Sequence, residues 1–149
     1  MSHNHEEEQE KLFQVGVKAL ITDKSGKYLV FDYGDWHRKD QERHWDIAGG
    51  RVKEGQTIAE TLLREMEEET GITEIKKSEF FTAVPSNFKD MNIDGHMVGL
   101  ILLIYKVQIA EDAEIRLSEE HSGYEWVSAK EAAERLAYKY PKEFTDLLA

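Results

Sequence analysis

The chain has 149 residues, enough to bury a sizeable core as one domain without cross-links. It contains no cysteine, which excludes disulfides, thiolate metal sites and cysteine nucleophiles. Its 30 acidic and 19 basic side chains give a formal net charge of -11, which opposes a nucleic-acid duplex and an anionic membrane alike, so any phosphate it handles needs a mediating cation.

Taken in order, residues 1–11 (MSHNHEEEQEK) are polar and acidic, read as a disordered tail, and do not resemble a signal peptide. Residues 13–22 (FQVGVKALIT) alternate as a strand does, the run Asp23-Lys24-Ser25-Gly26 reads as a turn, and residues 28–31 form the return strand of a hairpin. A polar, aromatic-bearing loop is expected over 34–43, then a short strand over 44–48 that stops at Gly49-Gly50. Residues 57–70 turn helical, with Ile58, Leu62 and Met66 at four-residue steps, Ala59 and Leu63 flanking them, and Gly71 as a C-cap. Strands follow over 80–84 and 96–109, separated by a loop over 85–95. Residues 98–105 (VGLILLIY) are apolar on both faces, the mark of a strand covered on both sides, and the run is too short to span a bilayer. A short strand over 123–127, a helix capped by Ser128 and a last short helix over 140–148 complete the order. The expected fold is an α/β sandwich, a mixed sheet between helices, formed by a single domain over 12–149. Its expected setting is soluble and cytoplasmic.

The helix carries an unusual charge run. In REMEEETGI, residues 64–72, four of the five positions 65–69 are glutamate, although like charges at helical spacing repel. At 3.6 residues per turn Glu65, Glu68 and Glu69 share an arc of roughly 100° beside Leu62 and Met66, whereas Glu60 and Glu67 point elsewhere. Carboxylates gathered there need a counter-charge, and oxygen ligands without cysteine or clustered histidine favour Mg²⁺, with Mn²⁺ as a substitute. Gly49, Gly50 and Gly55 shape a tight loop into the helix, where backbone carbonyls reach the same place, and Arg64 adjoins the acidic face.

The segment GRVKEGQTIAETLLREMEEETGI, residues 50–72, resembles the box of the Nudix hydrolases, G-x5-E-x7-R-E-U-x-E-E-x-G-U with U a bulky apolar residue. Gly50, Arg64, Glu65, Met66, Glu68, Glu69, Gly71 and Ile72 match without a gap. The resemblance implies a Mg²⁺-dependent pyrophosphohydrolase that cleaves a nucleotide or nucleoside diphosphate linked to another moiety, by water attack on phosphorus. It implies Glu65, Glu68 and Glu69 as metal ligands, the Gly49 carbonyl as a frequent further one, and Arg64 as the residue positioning the acidic cluster. A downstream glutamate often joins as ligand or general base; in LSEEHSGYEWVS (117–128) Glu120 is the candidate and Glu119 its rival, with Glu65 a third possibility for the base.

Three positions depart from the pattern. Gln56 stands where the box has its first glutamate, Ala48 where proline is usual, and Asp32 near the place where some triphosphate-cleaving relatives carry arginine. Gln56 supports the alternative, a non-catalytic Nudix-fold module that binds or senses nucleotides. Substrate contacts are expected from Trp36 and Arg38 before the box, beside His37 and Lys39, and from Phe88 and Lys89 after it, with Asn87 adjoining. Trp45 and Trp126 are read as core or pocket wall, and His44, His96 and His121 as structural or exposed. The expected partner is a small nucleoside diphosphate derivative, not a nucleic-acid duplex or a membrane; a homodimer is compatible with the reading.

Overall fold

The computed structural model describes residues 10–33, 44–88, 90–119 and 121–148. Residues 1–9 of the tail expected over 1–11 and the loop expected over 34–43 lie outside them. Strand β1, Leu12–Thr22, alternates as its sequence requires: Val17, Ala19 and Ile21 pack on one side with Leu62 and Met66, and Leu20 packs on the other with Ile104 and Tyr140. The turn after it is held by Asp23, whose Oδ1 accepts from the backbone N–H groups of Ser25 and Lys27, both at 2.9 Å. Gly26 supplies the positive φ of 86° that the turn needs.

β2, Tyr28–Asp32, returns alongside, but meets β1 only at its end, through Thr22 and Tyr28. The rest of that edge of β1 pairs with β4, Ala48–Arg51, so that Lys18 lies opposite Gly49 and Val17 opposite Gly50. The expected strand over 44–48 is thus two pieces, β3 (Trp45–Asp46) on β2 and β4 on β1, and the pairing continues through both glycines instead of stopping at them. On its other edge β1 runs parallel to β7, His96–Ile109, along its whole length.

β5, Ile75–Pro85, is longer than the 80–84 expected. Its first half, IKKSE, has no apolar alternation to announce a strand; antiparallel pairing with β7 holds it extended. β6, Met91–Ile93, forms a hairpin with β7 inside the stretch expected to be loop, turning at Asp94-Gly95, where both φ angles are positive. β8, Gly123–Val127, adds to β2. The order β3-β2-β1-β7-β5, with β4, β6 and β8 branching from it, is a mixed sheet.

Helix α1, Ile58–Thr70, covers one face, and α2 (Ala129–Leu136) and α3 (Lys142–Leu148) cover the other, which gives the α/β sandwich. Thr57 caps α1 by accepting from the Glu60 N–H at 3.1 Å, and Gly71, left-handed at φ 75°, ends it. The buried face differs from the expected stripe. Ile58 and Leu63 are exposed, while Leu62, Met66 and Glu69 are buried, at the spacing i, i+4, i+7 of a core-facing stripe. A glutamate therefore occupies a position where a hydrophobe would ordinarily pack. Among the described residues no helix is long and apolar enough to cross a membrane.

Candidate active site

The site begins with the contact between β4 and α1. The Gly49 N–H donates to Glu69 Oε2 at 2.9 Å. A Cβ on Gly49 would strike the Val17 carbonyl and the Lys18 side chain, and one on Gly50 would strike the Glu65 carboxylate. Two glycines in succession therefore let the β4 backbone lie directly against two glutamates from the helix. Arg64 donates to Glu65 Oε1 at 3.0 Å and holds that carboxylate against Gly50. Glu68, one turn from Arg64, is exposed.

Gln56 has its own place in the loop that feeds the helix. Its Oε1 accepts from the Lys53 N–H at 3.4 Å while its N–H donates to the Lys53 carbonyl at 3.0 Å. An acceptor oxygen is what this turn uses, and a neutral amide supplies one as a carboxylate would.

Electrostatics mark the buried Glu69 and the half-buried Glu65. Burial, with a further push from Glu65 and Asp46, raises the Glu69 carboxyl to about 7 despite the Gly49 hydrogen bond and nearby Lys18. Burial also raises Glu65, against the pull of Arg64, and Glu68 adds to the rise. Among the described residues no three His, Asp or Glu side chains converge closely enough to cage an ion by themselves. The donor set nevertheless suits a hard divalent cation: carboxylate oxygens and a nearby backbone carbonyl, with carboxylates whose charge is under-compensated. Glu65, Glu69 and the Gly49 carbonyl would hold it, with Glu68 reaching in from the surface.

Beside Glu69 lies a second cluster that no part of the sequence reading named. Asp46 accepts from four donors: Ile47 N–H at 2.7 Å and Tyr140 Oη at 2.6 Å on Oδ1, Lys139 Nζ at 2.6 Å and Lys18 Nζ at 3.2 Å on Oδ2. Burial alone would raise the Asp46 carboxyl, yet the two ammonium groups and the hydroxyl hold it at about 2. Lys18 is also raised, because Asp46 and Glu69 outweigh the effect of its burial. Its signal in the sequence is a single charge inside the apolar run VGVKALI.

A cavity of about 380 Å³ opens between these clusters. It is lined by Lys18, Asp46, Gly49 and Glu69 and by the rings of His44, Phe88, Tyr138, Trp45 and Tyr33, with Lys139 joining the two groups through its bond to Asp46. The rings of His44 and Tyr138 meet edge to face at 4.3 Å, those of Phe88 and Tyr138 at 5.3 Å, and Lys139 Nζ lies 5.4 Å from the Phe88 ring. Asn87 fastens this wall, its Nδ2 donating to the Tyr140 carbonyl at 2.9 Å and its N–H to that of Lys139 at 2.9 Å. A larger open groove of about 840 Å³ near the Asp23 turn touches none of the box glutamates, so chemistry rather than size selects the smaller cavity.

Of the residues expected from sequence, Gly49, Arg64, Glu65 and Glu69 come together, and Phe88 and Trp45 line the adjoining cavity. Trp126 instead packs against the α1-side core and borders the larger groove. Trp36, Arg38, Lys89 and Glu120 lie outside the described residues. The neighbours of position 120 are anchored: Ser118 Oγ and His121 Nδ1 are 3.0 Å apart, the His121 ring packs on Tyr33 at 4.3 Å, and the Ser122 N–H donates to the Asp32 carbonyl at 2.8 Å. His121 is buried, and Glu119 is exposed.

Fold and box together define a Nudix-type hydrolase, and comparison with known proteins agrees. The NUDIX domain model matches residues 12–148, so the chain belongs to the Nudix hydrolase family, an enzyme class of pyrophosphohydrolases. It is 30% identical over 104 residues to the asymmetrical bis(5'-nucleosyl)-tetraphosphatase of Mus musculus, covering 69% of this chain and 68% of that protein. It is 29% identical over 121 residues to the nucleoside triphosphatase NudI of Escherichia coli strain K12, covering 77% and 82%. Among solved structures, a MutT protein from Methanosarcina mazei Go1 superposes with a TM-score of 0.63 at 25% identity over 94% of this chain and 93% of that one. A Caenorhabditis elegans Ap4A hydrolase shares the fold, with a TM-score of 0.62 at 19% identity over 91% and 92%.

Proposed function

We propose that the protein is a Mg²⁺-dependent pyrophosphohydrolase of nucleotides or nucleoside diphosphate derivatives, acting at the junction between Glu65, Glu69 and the cavity lined by Phe88 and Tyr138. The observation that carries this reading is the contact of two partly buried glutamates with the Gly49-Gly50 backbone at the mouth of an aromatic cavity. Mg²⁺ or Mn²⁺, held by Glu65, Glu68, Glu69, the Gly49 carbonyl and Glu120, would neutralise the diphosphate and polarise its P–O bonds. Arg64 keeps Glu65 in the orientation it needs. A carboxylate takes a proton from the attacking water as the new P–O bond forms, and the anhydride oxygen leaves with the other phosphate. Glu120 is our candidate for that base, with Glu119 and Glu65 as the alternatives. The aromatic wall takes the nucleoside, as stacking on Phe88 or Tyr138 would allow, and Trp36, Arg38 and Lys89 complete the substrate contacts. A cytoplasmic setting fits such substrates.

The likeness to a bis(5'-nucleosyl)-tetraphosphatase and to a nucleoside triphosphatase supports a substrate with a polyphosphate chain. A panel of nucleoside triphosphates, dinucleoside polyphosphates and nucleoside diphosphate derivatives, assayed for phosphate or nucleotide release with and without Mg²⁺, tests the proposal. Turnover of at least one member that stops on chelation is the expected result. Binding without turnover across the panel, with Mg²⁺ or Mn²⁺ present, would instead favour the nucleotide-binding module that Gln56 suggested.

A further inference from the structure

One buried lysine spans the joint that carries Gly49. β3 and β4 pair with different strands, and Ile47, between them, belongs to neither register. Lys18 reaches that joint from β1. Its ammonium donates to Asp46 Oδ2 at 3.2 Å, on the β3 side, and to the Ile47 carbonyl at 3.3 Å. Its stem lies along Gly49, the residue opposite it in β4, where a Cβ would come within 2.6 Å of Lys18 Cδ. One side chain thus touches residues 46, 47 and 49, and the N–H of the last donates to Glu69 Oε2 at 2.9 Å. Lys18 is only 5% exposed, and Leu20, two residues along β1, packs in the core. An apolar side chain of similar length would fill the space without the cost of burying an ammonium. It could not supply the two hydrogen bonds at the joint.

We infer that Lys18 is a positioning residue of the metal site: by tying Asp46 and the Ile47 carbonyl to β1, it holds the β4 backbone where Gly49 meets Glu69. The inference rests on the proposed role of Glu69 and the Gly49 carbonyl as ligands. Its sign separates it from a simple charge effect. A cation beside the site repels a divalent ion, so removal of Lys18 would by Coulomb's law alone tighten metal binding. Loss of positioning weakens it. Lys139 serves as the control, because its ammonium shares the same Asp46 oxygen at 2.6 Å, whereas of the two lysines only Lys18 bonds the Ile47 carbonyl.

Mn²⁺ titration of the full chain followed by electron paramagnetic resonance, and hydrogen exchange of the Gly49 amide in metal-free protein, test this on folded samples without turnover. Lys18→Met keeps the stem and removes the donors. It should weaken Mn²⁺ binding by about tenfold or more, the range seen when a group that orients a ligand is lost. Protection of the Gly49 N–H should fall by about tenfold relative to the Gly71 N–H, whose bond to the Glu67 carbonyl closes α1. Lys139→Met makes the same charge change and should neither weaken Mn²⁺ binding nor alter the ratio of Gly49 to Gly71 protection. Unchanged or tighter Mn²⁺ binding in Lys18→Met, equal effects of Lys139→Met on both readings, or exchange that quickens equally at Gly49 and Gly71, as a merely structural ion pair would give, overturns the inference. If Lys18→Met does not fold, Lys18→Gln, neutral and shorter, is judged by the same criteria. A nucleotide turnover panel on the parent separates this from the hydrolase reading. Mn²⁺ binding without turnover removes only the hydrolase, turnover with unchanged Mn²⁺ affinity in Lys18→Met removes only the inference, and a parent that binds no Mn²⁺ removes both.

Discussion

Glu69 shows how one residue can serve the site at a cost to the fold. It fills a core position of α1, and its carboxyl is raised to about 7 by burial and by Glu65. Because the folded value lies above the ordinary 4.5, the stability contributed by this group is fully present below pH 4.5 and is lost as pH rises through 7. Metal-free protein should therefore melt at lower temperature at pH 8 than at pH 5. Glu69→Gln keeps an acceptor for the Gly49 N–H and should flatten that trend, holding or raising the melting temperature at pH 8 in chelator, while metal-dependent turnover falls by roughly 10²-fold or more. Glu68→Gln, at an exposed position, should lose activity with little change in melting. Either variant turning over like the parent at limiting Mg²⁺ would remove that residue from the proposed site. For the base, Glu120→Gln should depress the rate by roughly 10²- to 10⁴-fold, with partial recovery at high pH if it takes the proton, or with excess Mn²⁺ if it serves only as a ligand. Glu119→Gln is the control, and a loss confined to it would move the assignment by one residue.

At the scale of the element, α1 is held at both ends by local chemistry. Thr57→Ala removes the acceptor for the Glu60 N–H and should cost about 1 kcal/mol in denaturant unfolding. Activity should be nearly unchanged below the melting temperature, since the glutamates lie toward the far end of the helix. Gly50→Ala should behave in the opposite way. The new methyl displaces the Glu65 carboxylate from β4, so the rate should fall far more than stability does, and a kcat close to the parent's would show that the contact between Gly50 and Glu65 is incidental. The box was legible because its residues lie on one continuous stretch and the 3.6-residue period fixes their relative directions. The exact buried stripe was not, because Ile58 and Leu63 satisfy the same period as Leu62 and Met66, and only docking against β1 and β4 decides which side turns inward.

Across the whole molecule, Asp46 ties β3 to β1 through Lys18 and to the segment between α2 and α3 through Lys139 and Tyr140. Its carboxyl is depressed from the ordinary 3.8 to about 2, so the stability it contributes is present above pH 3.8 and is lost as pH falls through 2. The shift corresponds to about 2 kcal/mol. Thermal melts between pH 5 and 2 should show this acid sensitivity, and Asp46→Asn should lessen it. At pH 7 the same substitution should destabilise by roughly 3 to 5 kcal/mol, because two buried ammonium groups lose their common counter-charge. An unchanged melting temperature at pH 7 would mean that the lysines find other partners.

The sequence by itself determined the strand alternation of β1, the C-cap of α1 and the N-cap of α2, and the spacing that identifies the box, since each depends on residues within a turn, a strand or a helix of one another. It also marked Phe88 as a candidate contact. It did not reveal the Asp46 cluster, whose members Asp46 and Lys139 are 93 residues apart. No periodicity links such positions. The register that sets Lys18 opposite Gly49, and the docking of α2 and α3 onto the sheet, bring two lysines and a tyrosine to one carboxylate, because each buried charge and hydroxyl must find its partner wherever the packing of distant elements places one.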